Sequence, residues 1–399
     1  MKVLVLNSGS SSIKYQLFTS EDWESVASGA VTRLGEAESG LQRRWINADG
    51  EPESRKETLP IADHQEGLER IVKGLRESGA LGDVTELCAV GHRVVHGGES
   101  FHRPTVVDDQ VIAAIRDTIP LAPLHNPANL SGIEIARRLL PGVPQVAVFD
   151  TAYHQTMPAT SYRYALPEPL YKEHRVRRYG FHGTSHHYVA KRAAALLGMP
   201  ATACNLITLH LGNGASATAI REGKSVDTSM GMTPLEGLVM GTRCGDIDPA
   251  IHFYLCENVG LDNDALEDLL NRKSGLLGIC GVNDMREIHR LAAGGDERAE
   301  LAVGIFCHRL KKYLGAYYAE LGRVDAVVFT GGIGENDAEI RARTCAGLES
   351  LGICLDPDAN GAQERGERAI STPESRVKVL VIPTNEELEI ARQSFEAVA

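Results

Sequence analysis

Two strand–loop–strand patterns, one at the start of the chain and one near its middle, constrain the fold more than any other feature. In the first, apolar residues precede and follow the polar segment 7–12, and in the second they precede and follow a Gly-Asn-Gly turn at 212–214. Apolar, β-branched runs with polar punctuation between them are typical of paired β-strands. Asn7 aligns with His210, and a glycine stands two residues after each. The sequence therefore predicts a duplicated domain, although two glycine hairpins can also match by chance.

Three further apolar runs each end in a polar loop, at residues 146–149, 326–329 and 379–382. Continuous apolar runs of this kind suit strands that are covered on both faces. Patterns with helical periodicity lie between the runs, at residues 133–140, 189–197 and 301–321. Strands that alternate with helices indicate an α/β protein. The polar segments 36–56 and 364–372 are interpreted as irregular surface excursions without chemistry.

The overall charge is acidic, because 41 Lys and Arg residues stand against 53 Asp and Glu residues and give a net charge of −12. Such a chain repels nucleic acid and anionic membranes, so neither is expected as a partner. No apolar run reaches the roughly 18 residues of a membrane span, and no secretory signal is expected at the start. An anionic ligand would therefore need a local positive site.

The eight cysteines form no C-x-x-C pair and no zinc-type spacing with histidine. In a chain of 399 residues this argues against a disulfide framework and favours a reducing, cytoplasmic location. Cys244 lies in a loop rich in Gly, Arg and Asp and is interpreted as a small buried residue. The length itself predicts two or three domains.

Both hairpins and a third glycine-rich turn are candidates for binding phosphate. The first hairpin has Ser10, Ser12 and Lys14 around one glycine, so that backbone N–H groups and hydroxyls can approach an anion and a lysine can add its charge. The third turn, at 330–336, lies between a strand and a helix, where N–H groups face a ligand. The P-loop pattern G-x-x-x-x-G-K-[ST] is absent. Taken alone, each segment could also be an ordinary turn.

Arg93 and Arg243 are candidate anion ligands, because glycines near each of them leave room for the guanidinium to reach a ligand. A guanidinium matches a carboxylate or a phosphate in a bidentate way. A structural ion pair is the alternative for either arginine, and for Arg243 the candidate partners are Asp246 and Asp248.

His182 lies in a Gly/Ser/Thr turn ahead of a predicted helix, where it could donate to developing charge or belong to a capping loop. Asp150 and Glu386 each follow a buried strand, and carboxylates at strand ends can face a ligand crevice. Such oxygens suit Mg²⁺, which takes few protein ligands, although Glu386 could instead stabilise a helix N-terminus. Phosphate-type turns, arginines, a histidine and carboxylates are together what phosphoryl transfer requires.

Nine segments of the chain closely resemble the acetate kinase family. They are residues 6–17 (LNSGSSSIKYQL), 91–98 (GHRVVHGG), 124–129 (LHNPAN), 149–154 (FDTAYH), 178–186 (RYGFHGTSH), 210–216 (HLGNGAS), 227–249, 330–336 (TGGIGEN) and 384–387 (TNEE). Because they extend from end to end, the resemblance covers the whole chain. Butyrate and propionate kinases are near neighbours of this family. Two positions depart from its pattern: Met285 stands where some relatives have Phe beside the nucleotide base, and Tyr153 replaces a frequent Phe.

The resemblance implies a duplicated actin-like fold, in which each half carries a ribonuclease H-like βββαβαβα core and the nucleotide lies in the cleft between the halves. The implied N-terminal domain comprises residues 1–150 and 384–399 and binds the substrate and phosphate. The implied C-terminal domain, residues 151–383, binds the nucleotide. The resemblance also implies a homodimer.

The resemblance further implies a role for each matched residue. Asn7 and Glu386 would be partners of Mg²⁺, which Mn²⁺ could replace. The catalytic residues would be Arg93, Asp150, His182 and Arg243. The substrate methyl group would lie among Val95, Leu124, Phe181 and Pro234. The nucleotide and its phosphates would be bound by Ser10, Ser12, Lys14, His210, Leu211, Gly212, Asn213, Gly214, Asp284, Met285, Arg286, Gly332, Ile333, Gly334, Glu335 and Asn336.

The implied reaction is the reversible transfer of the γ-phosphate of ATP to acetate, which gives acetyl phosphate and ADP by direct in-line transfer. Arg93 would hold the acid, while Arg243 and His182 would stabilise the group in transfer. Since a carboxylate attacks without losing a proton, Asp150 is expected to orient the metal, a water or an arginine. Propionate or another short acid is the alternative substrate. A nucleotide-gated binding protein without transfer is a more distant alternative.

Overall fold

The computed structural model describes residues 1–399. The chain forms two compact units, the first made of Met1–Tyr153 together with Asn385–Ala399, and the second made of His154–Thr384. None of the helices combines the length and the hydropathy that crossing a bilayer requires.

Strands and helices alternate along much of the chain, as the apolar runs predict. The strands are β1 (Lys2–Ser8), β2 (Ser12–Thr19), β3 (Ser25–Thr32), β4 (Ser39–Ile46), β5 (Pro52–Leu59), β6 (Leu87–Val94), β7 (Thr105–Val106), β8 (Gln145–Phe149), β9 (Leu206–Leu211), β10 (Ala215–Arg221), β11 (Lys224–Thr228), β12 (Ala326–Thr330), β13 (Arg368–Ala369) and β14 (Lys378–Val381). The helices are α1 (His64–Glu77), α2 (Asp109–Asp117), α3 (Asn126–Leu139), α4 (Ala159–Tyr162), α5 (Glu168–His174), α6 (Gly183–Leu196), α7 (Ala250–Tyr254), α8 (Asn263–Arg272), α9 (Gly275–Cys280), α10 (Met285–Ala293), α11 (Glu297–Leu321), α12 (Gly331–Asn336), α13 (Ala338–Cys345), α14 (Pro357–Gly361) and α15 (Glu386–Val398). The three helical patterns read from the sequence correspond to α3, α6 and α11.

The sheet of the first unit has the order β5-β4-β3-β2-β1-β6-β8-β7. Strands β1, β2 and β3 are antiparallel neighbours, and β6 and β8 run parallel to β1. Val3 and Val5 pack with Ile390 of α15 on one face, whereas Leu4 and Leu6 belong to the core cluster on the other face. Both faces of β1 are therefore covered, which explains its unbroken apolar sequence.

The sheet of the second unit repeats this arrangement, with the order β11-β10-β9-β12-β14-β13. Strands β9, β10 and β11 are antiparallel neighbours, and β12 and β14 run parallel to β9. Five consecutive strands thus share one topology, β3-β2-β1-β6-β8 in the first sheet and β11-β10-β9-β12-β14 in the second. The predicted hairpins are β1–β2 and β9–β10. The duplicated α/β fold is confirmed.

The interpretation of segment 36–56 as irregular is wrong, because β4 and part of β5 occupy it. Leu41 is buried and pairs with Glu57, and Arg43 donates to the same glutamate at 2.5 Å. The many charged side chains conceal the alternation of buried and exposed positions. Charges on β5 also discourage other chains from pairing with this edge of the sheet. Segment 364–372 is irregular apart from the short β13.

Candidate active site

The first unit brings Arg93, Asp150 and Glu386 together. Arg93 lies near the end of β6, and Asp150 directly follows β8, so these parallel strands deliver both side chains to the same edge of the sheet. Arg93 donates from Nη2 to Asp150, and its Nε lies 3.8 Å from the nearer carboxylate oxygen of Glu386, the first residue of α15. The carboxylate of Asp150 is almost completely buried, while Arg93 and Glu386 keep a minor exposed fraction.

The electrostatics of this cluster favour a bound cation. Burial alone would lower the pKa of Arg93, but the charges of Asp150 and Glu386 outweigh it and raise that pKa. Burial raises the pKa of Glu386 to about 7, an effect that Arg93 opposes and Asp150 reinforces. Two carboxylates therefore share one guanidinium, and a further positive charge would relieve their repulsion. This oxygen-rich environment fits Mg²⁺.

The β1–β2 hairpin carries the predicted phosphate contacts. Asn7 pairs with Lys14 across the strands, and the N–H of Gly9 donates to the carbonyl oxygen of Ser12 at 2.8 Å. The carbonyl oxygen of Gly9 lies 2.7 Å from Nε2 of His64 in α1. Ser10 and Lys14 are exposed. The contact with His64 and the Gly9–Ser12 hydrogen bond therefore hold the hairpin in place, while its polar side chains remain accessible to a ligand.

Asn129 is a site residue to which the sequence analysis assigned no role. Its side chain accepts from the N–H of Val95 at 3.0 Å and donates to the carbonyl oxygen of Ser8 at 2.7 Å. One buried amide thus joins the ends of β1 and β6, the strands that carry Asn7 and Arg93. The motif LHNPAN, which contains Asn129, marked this residue in the sequence. Its role could not be predicted, because the hydrogen-bond partners of Asn129 are far away along the chain.

The two predicted pocket residues of the first unit differ in exposure. Val95 is 7% exposed and packed against its neighbours, whereas Leu124 is 60% exposed. Of the two, only Leu124 therefore presents its apolar side chain at the surface.

His182 and His210 lie together in the second unit. His182 has left-handed backbone angles, with φ of 56°, and precedes α6 as its N-cap. Its Nδ1 lies 2.8 Å from Oγ of Ser216, and its ring stacks on that of His210 with the centroids 4.3 Å apart. A non-glycine residue in this strained conformation is typical of functional sites.

Arg243 reaches the β9–β10 hairpin without pairing with a carboxylate. Its Nη1 donates to the carbonyl oxygen of Pro234 at 2.6 Å, and burial lowers the pKa of its guanidinium. A Cβ atom at Gly214 would lie 2.7 Å from Nη2 of Arg243 and 3.5 Å from Cε1 of His182. The glycine therefore allows the guanidinium and the imidazole to converge on the hairpin. The alternative that Arg243 serves a structural ion pair with Asp246 or Asp248 is wrong.

A cavity of about 550 Å³ adjoins the same hairpin. Its lining residues are Gly212, Asn213, Asn283, Asp284, Met285, Arg286, Gly332, Ile333, Asn336 and Asp337. Eight of these are predicted nucleotide ligands, whereas Asn283 and Asp337 were not singled out. Arg286 pairs with Asp284 at 2.5 Å, and this hydrogen bond lowers the pKa of Asp284 to about 2. The volume is typical of a small-molecule site.

The remaining predicted residues of the second unit are buried or belong to the glycine-rich turn at α12. Phe181 is buried, as is Leu211 at the end of β9. Gly334 lies in α12, where Oε1 of Glu335 accepts from the N–H groups of Gly331 at 2.9 Å and Thr384 at 3.2 Å. The Glu335 carboxylate thus caps the glycine-rich turn.

Arg341 stabilises the same turn through hydrogen bonds to its carbonyl oxygens. The sequence analysis did not predict this residue. Its side chain is fully buried, and its guanidinium donates to the carbonyl oxygens of Gly334, Glu335 and Asn360 and to the Asn360 side chain, at 2.7–3.0 Å. Burial lowers its pKa to about 10. A cation at the carbonyl end of α12 favours the helix dipole.

The duplicated α/β fold, the two phosphate-type hairpins and the unneutralised positive charge are together those of a phosphotransferase. The family that matches, over residues 2–392, is the acetokinase family, and the chain belongs to it. The resemblance read from the motifs is thereby confirmed.

Similar proteins cover the whole chain. The acetate kinase of Syntrophobacter fumaroxidans is 55% identical over 399 residues, which are 100% of this chain and 97% of that protein. The crystal structure of Porphyromonas gingivalis acetate kinase has 46% identity and a TM-score of 0.93, with 100% of both chains covered. A propionate kinase from Francisella tularensis has 42% identity and a TM-score of 0.91, with 99% of both chains covered.

Proposed function

We propose that the protein transfers the γ-phosphate of ATP reversibly to acetate, with acetyl phosphate and ADP as products. The observation that carries this proposal is the half-buried guanidinium of Arg243, which has no carboxylate partner and lies beside the glycine hairpin. Unlike Arg341, whose donors are all engaged by carbonyl and amide oxygens, Arg243 donates only to the carbonyl oxygen of Pro234, so its remaining donors are available to a phosphoryl group in transfer. The names of the similar proteins support the same reaction.

The acid would bind at Arg93. Its Nε is buried and has no hydrogen-bond partner, although Nη2 is engaged by Asp150. A carboxylate ligand would satisfy this orphaned donor. Asp150 then holds the guanidinium in place, which agrees with a reaction that removes no proton from the acid.

Magnesium would be held by Asn7 and Glu386 on the first unit. When bound, the ion neutralises charge on the phosphate oxygens. The chain's own contribution would be to hold Glu386 beside Arg93, whose charge favours the ionised carboxylate, and to present Lys14 and the serine hydroxyls of the hairpin to phosphate. Mn²⁺ would be an alternative, since it takes similar oxygen ligands.

The nucleotide would bind in the cavity of the second unit, with its phosphates toward Gly212 and Gly214. Met285 and Ile333 offer apolar contact, while Asn213, Asn283 and Asn336 offer amide groups. His182 and Arg243 would then act on the transferred phosphoryl group as donors, which is where electrostatic stabilisation has its largest effect.

Trapping of the acyl phosphate with hydroxylamine tests this function directly. The protein, ATP, Mg²⁺ and acetate should yield acetohydroxamate, and omission of acetate should abolish it. ATP turnover that ignores added acids, with no hydroxamate from acetate, propionate or butyrate, would contradict the proposal and favour a nucleotide-gated binding protein.

Propionate is the second candidate substrate, because a propionate kinase is among the similar structures. One methylene changes binding in an apolar pocket by about 1–3 kcal/mol, or 10–200-fold. We expect kcat/KM to be higher for acetate than for propionate. The reverse order, measured with both acids at saturating ATP, would reassign the substrate and leave the phosphotransferase class intact.

We also propose a homodimer whose interface includes α7 and the following π-helical turn Leu255–Val259. This segment has no buried residue. Its large apolar side chains are exposed as well, with exposed fractions of 68% for Phe253, 62% for Tyr254 and 58% for Val259. An exposed apolar face on a regular helix is typical of an interface. Light scattering should give twice the chain mass, and Phe253→Glu should give monomers. A wild-type monomer would overturn this proposal.

A reducing cytoplasmic location completes the proposal. All eight cysteines are free, and three of them are buried. Disulfide-free chains with this many thiols suit a reducing compartment. Fractionation of the source cells should recover the protein with cytoplasmic markers.

A further inference from the structure

A long irregular segment, residues 229–249, carries two of the predicted site residues. It lies between β11 and α7 and contains neither helix nor strand. Pro234 is a predicted wall of the acid pocket, and Arg243 is the unneutralised guanidinium. Structureless segments of this length are uncommon in compact domains unless they are functional, and they need an external anchor to hold a side chain in place.

Two backbone positions close this segment into a loop. The N–H of Gly237 donates to Oδ1 of Asp246 at 2.8 Å, and the N–H of Asp246 donates to the carbonyl oxygen of Gly237 at 2.9 Å. Gly245 has φ of 69°, and a Cβ atom there would collide with the carbonyl oxygen of Leu238. Arg243 therefore lies within a closed loop whose neck is formed by Gly237 and Asp246.

Arg309, in the middle of α11, forms hydrogen bonds to both residues of this neck. Its Nη1 donates to the carbonyl oxygen of Gly237 at 3.0 Å, and its Nη2 donates to that of Asp246 at 3.1 Å. Nη1 also lies 3.2 Å from Oδ2 of Asp246, to which Tyr313 of the same helix donates at 2.9 Å. A planar guanidinium can bridge two carbonyls and a carboxylate at once, which a lysine cannot.

The contacts of Asp246 also explain why Arg243 stays without a carboxylate partner. Oδ1 of Asp246 is used by Gly237, and Oδ2 is used by Arg309 and Tyr313. Asp246 is only three positions from Arg243 along the loop, so an unoccupied carboxylate there would be a competing anion. Arg309 neutralises it first.

We propose that Arg309 is a positioning residue for Arg243: it closes the loop and occupies Asp246, so that Arg243 remains available to the transferred phosphate. The part of this statement that concerns phosphate rests on the proposed function. The part that concerns loop geometry does not.

The decisive variant is Arg309→Met, with Arg298→Met as the matched control. Arg298 lies on the same helix and donates to the carbonyl oxygen of Ile279 at 2.8 Å, outside the loop. We expect Arg309→Met to lower kcat at least tenfold while the KM for ATP stays within twofold, because the nucleotide cavity does not include the loop. Arg298→Met should leave both constants within twofold. An equal loss in both variants, or a kcat within twofold in Arg309→Met, would overturn the proposal.

Two further variants separate positioning from general weakening of the fold. Asp246→Asn added to Arg309→Met removes the competing carboxylate and should recover kcat at least threefold, whereas a merely structural role predicts a further loss. If Arg309→Met does not fold, Arg309→Lys decides, since it keeps the charge but loses the carbonyl bridge. A three- to tenfold fall in its kcat supports the proposal, and an unchanged kcat overturns it.

A crystal structure of Arg309→Met, or of Arg309→Lys if only that variant folds, tests the geometry without reference to activity. The guanidinium of Arg243 should leave the carbonyl oxygen of Pro234, and in Arg309→Met it should approach Asp246. An unchanged loop would overturn the proposal even for an active enzyme. If wild-type protein forms no hydroxamate from any short acid, the proposed function fails, and the structure of the variant still decides the role of Arg309.

Discussion

Arg93 donates a hydrogen bond to Asp150, whose carboxylate is almost completely removed from solvent. Arg243, in the other unit, has only the carbonyl oxygen of Pro234 as acceptor. The two arginines would both act on anionic groups, but one is part of a buried ion cluster and the other is not. Their removal should therefore have different consequences for stability.

Arg93→Met should abolish turnover and also destabilise the first unit. Loss of one partner of a buried ion pair leaves the other charge unpaired and costs about 3–5 kcal/mol, with the lower figure expected because Arg93 is partly exposed. Urea unfolding followed by tryptophan fluorescence measures this change, since both tryptophans, Trp23 and Trp45, lie in the first unit. Wild-type activity in this variant would remove Arg93 from the acid site.

Arg243→Met should lower kcat by roughly 10²–10³, the effect of removing one preorganised donor to developing charge. Its stability should hardly fall, because no protein charge loses a partner. Activity by the hydroxamate assay and unfolding by circular dichroism provide both measurements. A large loss of stability with normal kcat would show that the guanidinium serves the fold instead.

Asn129→Leu should lower both stability and activity. The change leaves the N–H of Val95 and the carbonyl oxygen of Ser8 buried without partners, and each such group costs about 1–3 kcal/mol. Asn271→Leu is the control, since the half-buried side chain of Asn271 donates only to the carbonyl oxygen of Glu267 on its own helix. Equal effects of the two substitutions, measured by urea unfolding, would argue against the link between the strand ends.

Arg341→Met should weaken ATP binding as well as the fold of the second unit. Two of its four hydrogen bonds hold carbonyl oxygens of α12 and the other two hold Asn360, and α12 lines the proposed nucleotide cavity. We expect the KM for ATP to rise several-fold while the KM for acetate changes little. Arg343→Met, at an exposed ion pair with Glu300, should change neither constant. A KM for ATP unchanged in folded Arg341→Met would contradict this role.

The free energy of unfolding should decrease as the pH falls below 6.5, in part because His92 is buried in its neutral form. Burial lowers its pKa to about 4, although the hydrogen bond that its Nε2 donates to Oε1 of Gln145 opposes this shift. The unfolded chain therefore binds a proton near pH 6.5, whereas the folded chain keeps the imidazole neutral. Its contribution is therefore full above pH 6.5 and is lost as the pH falls toward 4, at up to about 1.4 kcal/mol per pH unit.

His92→Gln should flatten this dependence in urea titrations at pH 7.5, 6 and 5. Glu386 acts with the opposite sign, because its raised pKa makes ionisation unfavourable in the folded state between pH 4.5 and about 7. The difference between variant and wild type, rather than the absolute slope, is thus the quantity to compare. Parallel curves would show that His92 does not carry the effect.

Local sequence patterns were sufficient for the two hairpins, β1–β2 and β9–β10, and for the buried strands β8, β12 and β14. They failed where a charge finds its partner far along the chain. Asp246 is three positions from Arg243 but is occupied by Arg309, 63 positions away, so the neighbouring carboxylate was a misleading signal. Asn129 likewise bonds to Ser8 across 121 positions. In β4 and β5, cross-strand pairing of charged residues replaced the apolar alternation that reveals most strands.

The return of the chain to its first unit through α15 has a consequence for biosynthesis. This helix covers one face of β1, β6 and β8, and it supplies Glu386 to the cluster around Arg93. A ribosome must therefore translate all of the second unit before the first can bury its apolar sheet face. Until then that face remains open to chaperones and proteases, and a nascent chain released early would lack both the cover of this face and the Glu386 carboxylate.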